Sequence, residues 1–417
     1  MDGLGSQYAR RNSVNFGLGQ LGNRSFRIKC SPARTSFGNQ ALNLPIFAAY
    51  PRHIHCDLGC DLQFLRIVVS SVLVTNRHRA GWLRGTAFDS TYILGIASLA
   101  VASGWVVVSN PALFTTVFVL NAWLLGYHHV ISTFTRLTFD KDSFKEHRFL
   151  VTWLPVLVLA AVVLACIAVG AWLLTTVYLY WQWWHYTRQS YGVSRIYQRR
   201  SGVNNDLLQK LVIYALPVWG ILHRSAQAPD QFLFTEVRVV PVPLWLVAIA
   251  GSFTLVVLVW WMAQTVREWF VGSISIAHTL YLCSHLVIFG VGYLATENIN
   301  HGWLVLTIWH NCQYILTVWM FNNNRFKDTV DRKHWFLSFI SQRSKVATYL
   351  AVCLLLSTVI YAALQYSLTW IAAATATSLP LFAIAFQAIN FHHYVVDAVI
   401  WKVRRKPIQQ NLGIPTV

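Results

Sequence analysis

The chain is predicted to be an all-α, polytopic bundle of about ten transmembrane helices, preceded by a disordered N-terminal extension. Three observations predict it. Of 417 residues, 55% are hydrophobic and only 12% are charged, against about 25% charged in soluble domains. From residue 91 onward, apolar stretches follow one another, most with the ~20 residues needed to cross ~30 Å of hydrocarbon. Basic residues gather in alternate connections between these stretches, the asymmetry that sets membrane orientation.

Residues 1–85 form the extension. They are rich in Ser, Asn, Gly and Arg, poor in acids, and lack the apolar core of a secretory signal. That composition also fits an organelle transit peptide, but an unstructured extension is the reading adopted. Within it, Cys56 and Cys60 stand beside His53 and His55, spaced unlike the tightly paired ligands of a structural zinc site. Residues 64–75 are apolar but too short for a span. The membrane domain covers 86–408, and 409–417 form a short tail.

The spans are expected near 91–109, 112–134, 149–170, 171–188, 208–223, 243–264, 273–294, 302–321, 346–369 and 375–402. The fifth is the weakest, being short and broken by Pro217 and Gly220. Alone it reads as re-entrant or interfacial. The loop charges nevertheless support counting it. Basic residues crowd 76–84, 136–148, 188–210, 322–345 and 402–406, whereas 109–111, 295–301 and 370–374 contain no Lys or Arg. The alternation predicts that both termini are cytoplasmic. A net charge of +18 is thus a topology signal, and nucleic acid is not an expected partner. The 19 Trp and 17 Tyr suit interfacial aromatic belts. No repeat of fixed period occurs, and Cys166, Cys283, Cys312 and Cys353 read as small apolar packing residues.

Histidine carries the functional signal. His128, His129, His185, His285, His310, His392 and His393 lie within or at the ends of spans. Ionisable side chains are expensive in hydrocarbon, so they face the bundle interior and have partners. A single span histidine more often packs than ligates, and His278 reads that way; His285 stands between the two readings. The adjacent pairs His128/His129 and His392/His393 double the desolvation cost, which makes one residue of each pair a candidate ligand. His185 lies in an aromatic run, Trp183, Trp184 and Tyr186. His393 and Asp397 are four apart and so share a helical face, as do His310, Gln313 and Tyr314; His392 points about 100° away from His393. Asp397 is a candidate ligand or base, with Tyr314, Gln313 and Gln189 orienting the ligands. Imidazoles with a carboxylate suit iron, or less well zinc or copper. Only three Met occur, which disfavours a Cu(I) site. One ion or two are compatible with the pattern. No P-loop, dinucleotide fingerprint or Gly-x-Ser-x-Gly elbow is present.

The run His392–His393–Tyr394–Val395–Val396–Asp397 resembles the intramembrane His-to-Asp spacing of bacterial beta-carotene dioxygenases of the Brp/Blh type. The resemblance implies a multi-span protein with a His-ligated iron that cleaves or modifies a polyene. His392 to Asp397 is the matching interval, and His128 or His129, His185 and His310 would take equivalent places on other spans. The likeness covers short patches. The chain departs from the pattern in its doubled histidines, its larger number of spans, and the lack of an acid after the span-two pair. The doubled histidines are also similar to those of His-rich di-iron desaturases and hydroxylases, but the H-x-x-H-H boxes of that class are missing.

The expected function is that of an integral-membrane, His-ligated non-haem iron oxidase or oxygenase. Its substrate would be an apolar, lipid-like small molecule drawn from membrane lipid, and an electron-donor protein is a possible partner. One alternative is a metal-ion or proton-coupled transporter, which should show inverted repeats and broken helices. Another is a bis-His haem protein, which would be red. The topology is directly testable: cysteine labelling at 109–111 and at 322–345 should report opposite sides of the membrane, and labelling from one side at both would refute it.

Overall fold

The computed structural model divides the chain into two units, Met1–Leu62 and Gln63–Val417, and describes residues 80–202 and 206–414, all within the second. The expectations for residues 1–79, including Cys56, Cys60 and the stretch 64–75, lie outside the described residues. The described part is an all-α bundle. Its long helices are α1 Thr86–Ser109, α2 Pro111–Thr138, α3 Arg148–Ala168, α4 Ala171–Ser201, α5 Asp206–Ala226, α6 Leu244–Val271, α7 Ile276–Ala295, α8 Ile299–Phe326, α9 Val346–Thr375 and α10 Leu381–Ile400. One small hairpin, β1 Gln231–Phe232 with β2 Thr235–Glu236, joins α5 to α6.

Among the described residues, six helices, α1, α2, α3, α6, α7 and α9, are long and apolar enough to cross a membrane. That number and their apolar exteriors mark a membrane protein. In α3 only 17% of the apolar window is buried, and in α6 and α9 22%, so these helices present Trp153, Leu164, Leu244, Val256 and Leu355 outward. Such apolar surface is what hydrocarbon, not water, accommodates. The other four, α4, α5, α8 and α10, match expected spans in position but are less apolar. Their polar residues are buried inside the bundle: Gln182 and Ser190 on α4, Asn311 and Gln313 on α8, His393 and Asp397 on α10.

α8 is the axis. From Gly302 to Asn323 every side chain is buried except the half-buried Cys312 and Leu316, because α1, α2, α4 and α7 all pack against it. α10 lies against α2, α3, α4 and α9. Among the described residues three helices contain a π turn, at Thr91–Gly95, Ala122–Tyr127 and Val291–Ala295; the second ends immediately before His128.

Two expectations about extent need correction. Residues 188–201, expected as a basic loop, continue α4 as helix. Val193, Ile196 and Tyr197 there are buried, and the Tyr197 hydroxyl donates to Asp89 at 2.6 Å. The helix ends at Gly202, whose φ of 68° is the left-handed conformation that glycine adopts freely. Pro217 and Gly220 do not interrupt α5, which is continuous through both. Pro217 has no N–H and so deprives the Ile213 carbonyl of its helical partner, a loss that surrounding helices make tolerable inside a span. Gly220 lets Tyr293 approach so closely that a Cβ would lie 2.6 Å from the tyrosine Cβ.

The tightest helix contact is between α7 and α8. A Cβ on Gly302 would lie 2.0 Å from the Gly292 carbonyl oxygen and 3.0 Å from Arg224 Nη2. Arg224, 1% exposed, donates to the carbonyls of Gly292, Thr296 and Glu297 around the α7 π turn. Gly302→Ala is therefore expected to destabilise the detergent-solubilised protein by about 1–3 kcal/mol. Gly290→Ala, where a Cβ meets nothing within 4 Å, should be close to neutral. Equal melting temperatures for the two variants would contradict this packing.

Candidate metal centre

Three helices bring four ligating side chains together in the bundle interior. α2 supplies His129, α4 His185, and α10 both His393 and Asp397; one ligand atom from each lies within 4.8 Å of the others, and all four residues are buried. The i, i+4 spacing of His393 and Asp397 puts both on one face of α10, with His393 Nε2 3.4 Å from Asp397 Oδ2. His129 Nε2 lies 2.6 Å from His393 Nε2. His185 Nε2 is 3.9 Å from Asp397 Oδ2 and has no hydrogen-bond partner among the described residues. His310 on α8 flanks the group, its ring centre 4.8 Å from that of His129 and 4.9 Å from that of His185. Its Nδ1 is likewise buried without a partner.

Proton counting around the group defines a direction. The Tyr314 hydroxyl donates to Asp397 Oδ1 at 2.6 Å. A hydroxyl has one proton, so at the 2.6 Å contact between Thr133 and Tyr314 the threonine must be the donor. Thr133 has then spent its own proton, so its 3.1 Å contact with His393 Nδ1 requires Nδ1–H to donate. With Asp397 ionised, the relay runs His393 to Thr133 to Tyr314 to Asp397. It leaves His393 Nε2 bare, with its lone pair facing the other ligands, and leaves Asp397 Oδ2 free. Fixing a ligand's tautomer through the far ring nitrogen is how proteins orient metal-binding imidazoles. Trp401 Nε1 adds a bond to the Tyr314 oxygen at 2.9 Å, and the Arg136 guanidinium stacks on the Trp401 ring.

The donor set fits a metal ion. Three imidazole nitrogens and a carboxylate oxygen converge, and the His185 nitrogen has no hydrogen-bond partner among the described residues. Histidine with carboxylate is a ligand set of non-haem iron and of zinc.

The remaining expected residues fall elsewhere. His392 donates to or accepts nothing in the group: its Nε2 bonds the Leu150 carbonyl at 2.7 Å and its ring stacks on Phe134, so of the adjacent pair on α10 only His393 faces inward. His128, adjacent to His129 and so about 100° around the helix, is buried with its Nε2 unpartnered among the described residues, outside the group. His285 Nδ1 shares a hydrogen bond with Ser190 Oγ, 2.8 Å away. His278 pairs with Ser194 at 3.0 Å. Gln313 is not on the site face; its Oε1 accepts from Tyr281 of α7 at 3.5 Å, because i+3 and i+4 positions diverge around the helix and only Tyr314 is turned to the group. Gln189 donates to the His310 backbone carbonyl at 3.0 Å. Thr133 was not anticipated, although its position one turn beyond His129 was a usable signal.

A pocket of about 570 Å³, outward opening included, ends on His129, His310 and His393. Phe118, Tyr127, Tyr178, Trp303, Phe386 and Tyr394 contribute to its walls. Asn121 and Asn311 are among its polar positions. Comparison of the chain with family models, with curated proteins and with solved structures finds no match.

Thr133→Val keeps the shape of the side chain but removes the relay's middle oxygen. It is expected to weaken metal binding 10–100-fold, with Thr133→Ser restoring it. Unchanged affinity in the valine variant would show that the His393 tautomer is not set through Thr133.

Proposed function

We propose that the protein is an integral-membrane, metal-dependent oxidase or oxygenase, with iron as its metal, acting on an apolar, lipid-like small molecule. The observation that carries this reading is the convergence of His129, His185, His393 and Asp397 beside an aromatic-walled pocket that His129 and His393 line. An apolar, aromatic lining with a few polar positions is the character of sites that take small organic ligands. His129, His185, His393 and Asp397 would hold the ion, with His310 beside them. When bound, iron supplies the one-electron reactivity toward dioxygen that protein side chains lack.

The chain's own residues account for the rest. Aromatic walls take up an apolar molecule and keep bulk water from the ligand group. Thr133 holds His393 at Nδ1, and Tyr314 holds Asp397 at Oδ1, so neither ligand reorients when substrate arrives. Tyr314, joined to Asp397 and Trp401, is the nearest phenolic proton to the carboxylate and the residue best placed to pass a proton to or from it. The substrate enters from membrane lipid, and electrons come from a partner protein at the basic, cytoplasmic face; both termini lie on that side in this reading.

The purified full-length protein is expected to carry close to stoichiometric iron and no Soret band. His393→Ala should lose most of the metal while remaining folded, Asp397→Asn should be impaired but partly loaded, and His392→Ala should retain it, because only His393 faces the group. Metal at background level in active protein, or equal metal retention in the His392 and His393 variants, would sink the reading.

A further inference from the structure

A second set of ligating groups lies at the loop ends of α2 and α8, away from the interior histidines. Asp140 precedes the short helix Lys141–Glu146 and caps it, its Oδ1 accepting from the Asp142 and Ser143 N–H groups at 3.1 and 3.4 Å. The connection after α8 carries Asp331 and a turn of 3₁₀ helix, Arg332–His334. Folding places His334 directly against Asp140 and Asp142, with one ligand atom of each residue within 4.8 Å of the others.

The His334 ring is the informative part. Only 3% exposed, it is fixed at Nδ1 by the Asp331 carboxylate at 2.8 Å. Its Nε2 lies 3.1 Å from Asp140 Oδ1 and 3.4 Å from Asp142 Oδ2, yet it is in hydrogen-bonding orientation with neither and has no other partner among the described residues. An imidazolium in an ordinary ion pair aims its N–H at one oxygen. This nitrogen instead points between two. Ligand atoms about 2.1 Å from one ion at tetrahedral angles lie roughly 3.4 Å apart, close to both separations.

The other carboxylate contacts agree with that geometry. Arg325 Nη1 holds Asp140 Oδ2 and the Lys333 ammonium holds Asp142 Oδ1; Arg325 Nη2 is 3.9 Å from Asp142 Oδ2. Each cation thus grips the outer oxygen and turns the inner one toward His334. Asp140, Asp142 and Asp331 against Arg325 and Lys333 leave one net negative charge when His334 is neutral, which favours a cation. Asp331 bonded behind the imidazole reproduces the carboxylate–histidine support of metal ligands. Asp142 is half exposed, so solvent reaches the remaining coordination position.

We propose that Asp140, Asp142 and His334 form a second metal site, for zinc, that staples the α2–α3 connection to the α8–α9 connection. It is distinct from the interior centre and does not depend on the function proposed for that centre. Its consequence is mechanical. α2 carries His129 and Thr133, α8 carries His310 and Tyr314, and the staple fixes the ends of both helices relative to each other.

The test is to strip the intact, detergent-purified protein with chelator, titrate it with zinc, and count bound ions by mass spectrometry. His334→Gln and Asp142→Asn are each expected to bind one zinc fewer than the unsubstituted protein. Asp331→Asn should keep the site with 10–100-fold weaker affinity. Because Asp142 is at the surface, its variant separates ion loss from misfolding, which circular dichroism checks. His393→Ala should leave the loop ion in place. Equal zinc counts in His334→Gln, Asp142→Asn and the unsubstituted protein would overturn the proposal and leave His334 as an ion-pair residue. An interior that binds nothing while His334→Gln still loses an ion would refute the interior centre and uphold this one.

Discussion

A polar helix buried on every side is the constraint around which this structure is arranged. α8 has no face toward lipid or water, so each of its polar groups needs a partner on a neighbouring helix, and an orphan would cost ~1–3 kcal/mol. The neighbours provide several of them. Tyr186 of α4 bonds Thr307, Gln189 of α4 bonds the His310 carbonyl, Tyr92 of α1 bonds Thr317, and Tyr314 bonds Asp397 of α10. Trp303 donates to Gln182 of α4. These bonds select which helices can surround α8 and in what rotation, a specificity that apolar packing alone does not supply.

The same constraint explains the division into inner and outer helices. α3, α6 and α9 are strongly apolar and turn most of that surface outward. α4, α8 and α10 are less apolar because their polar side chains are spent on one another inside. Hydropathy therefore falls where chemistry is richest: the helices holding His185, His310, His393 and Asp397 are the ones that length and hydropathy alone do not mark as spans. Irregular backbone follows a related logic. The α7 π turn is held by Arg224, which donates to the carbonyls that the turn leaves free.

Within the interior centre, the ligands and the groups behind them form one unit. The direction of the Thr133–Tyr314 bond follows from the direction of the Tyr314–Asp397 bond, and the His393 tautomer follows from both. A change at Tyr314 thereby reaches His393 without touching it. At the loop ends the acids and the histidine come from two connections, and Arg325 of α8 with Lys333 beside His334 holds the outer carboxylate oxygens.

Composition and pattern were enough to show a polytopic all-α membrane protein, the approximate helix ranges, and a histidine-based interior. His393 with Asp397 was legible because i, i+4 spacing is a property of one helix. Whatever depended on rotation between helices was not. Choosing His129 over His128 depends on the phase of α2, which the π turn Ala122–Tyr127 resets just before them; such a turn leaves no mark in the residue pattern. Gln313 shares the stripe of His310 and Tyr314 on a helical wheel, yet Tyr281 of α7 claims it. Basic residues 188–201 looked like a loop because charge was read without the buried Val193, Ile196 and Tyr197 between them. The set formed by Asp140, Asp142 and His334 spans nearly two hundred residues of chain and has no local spacing to read. Local geometry is written in consecutive residues, but the meeting of side chains from separate helices is decided by how those helices pack, and only the folded bundle contains that information.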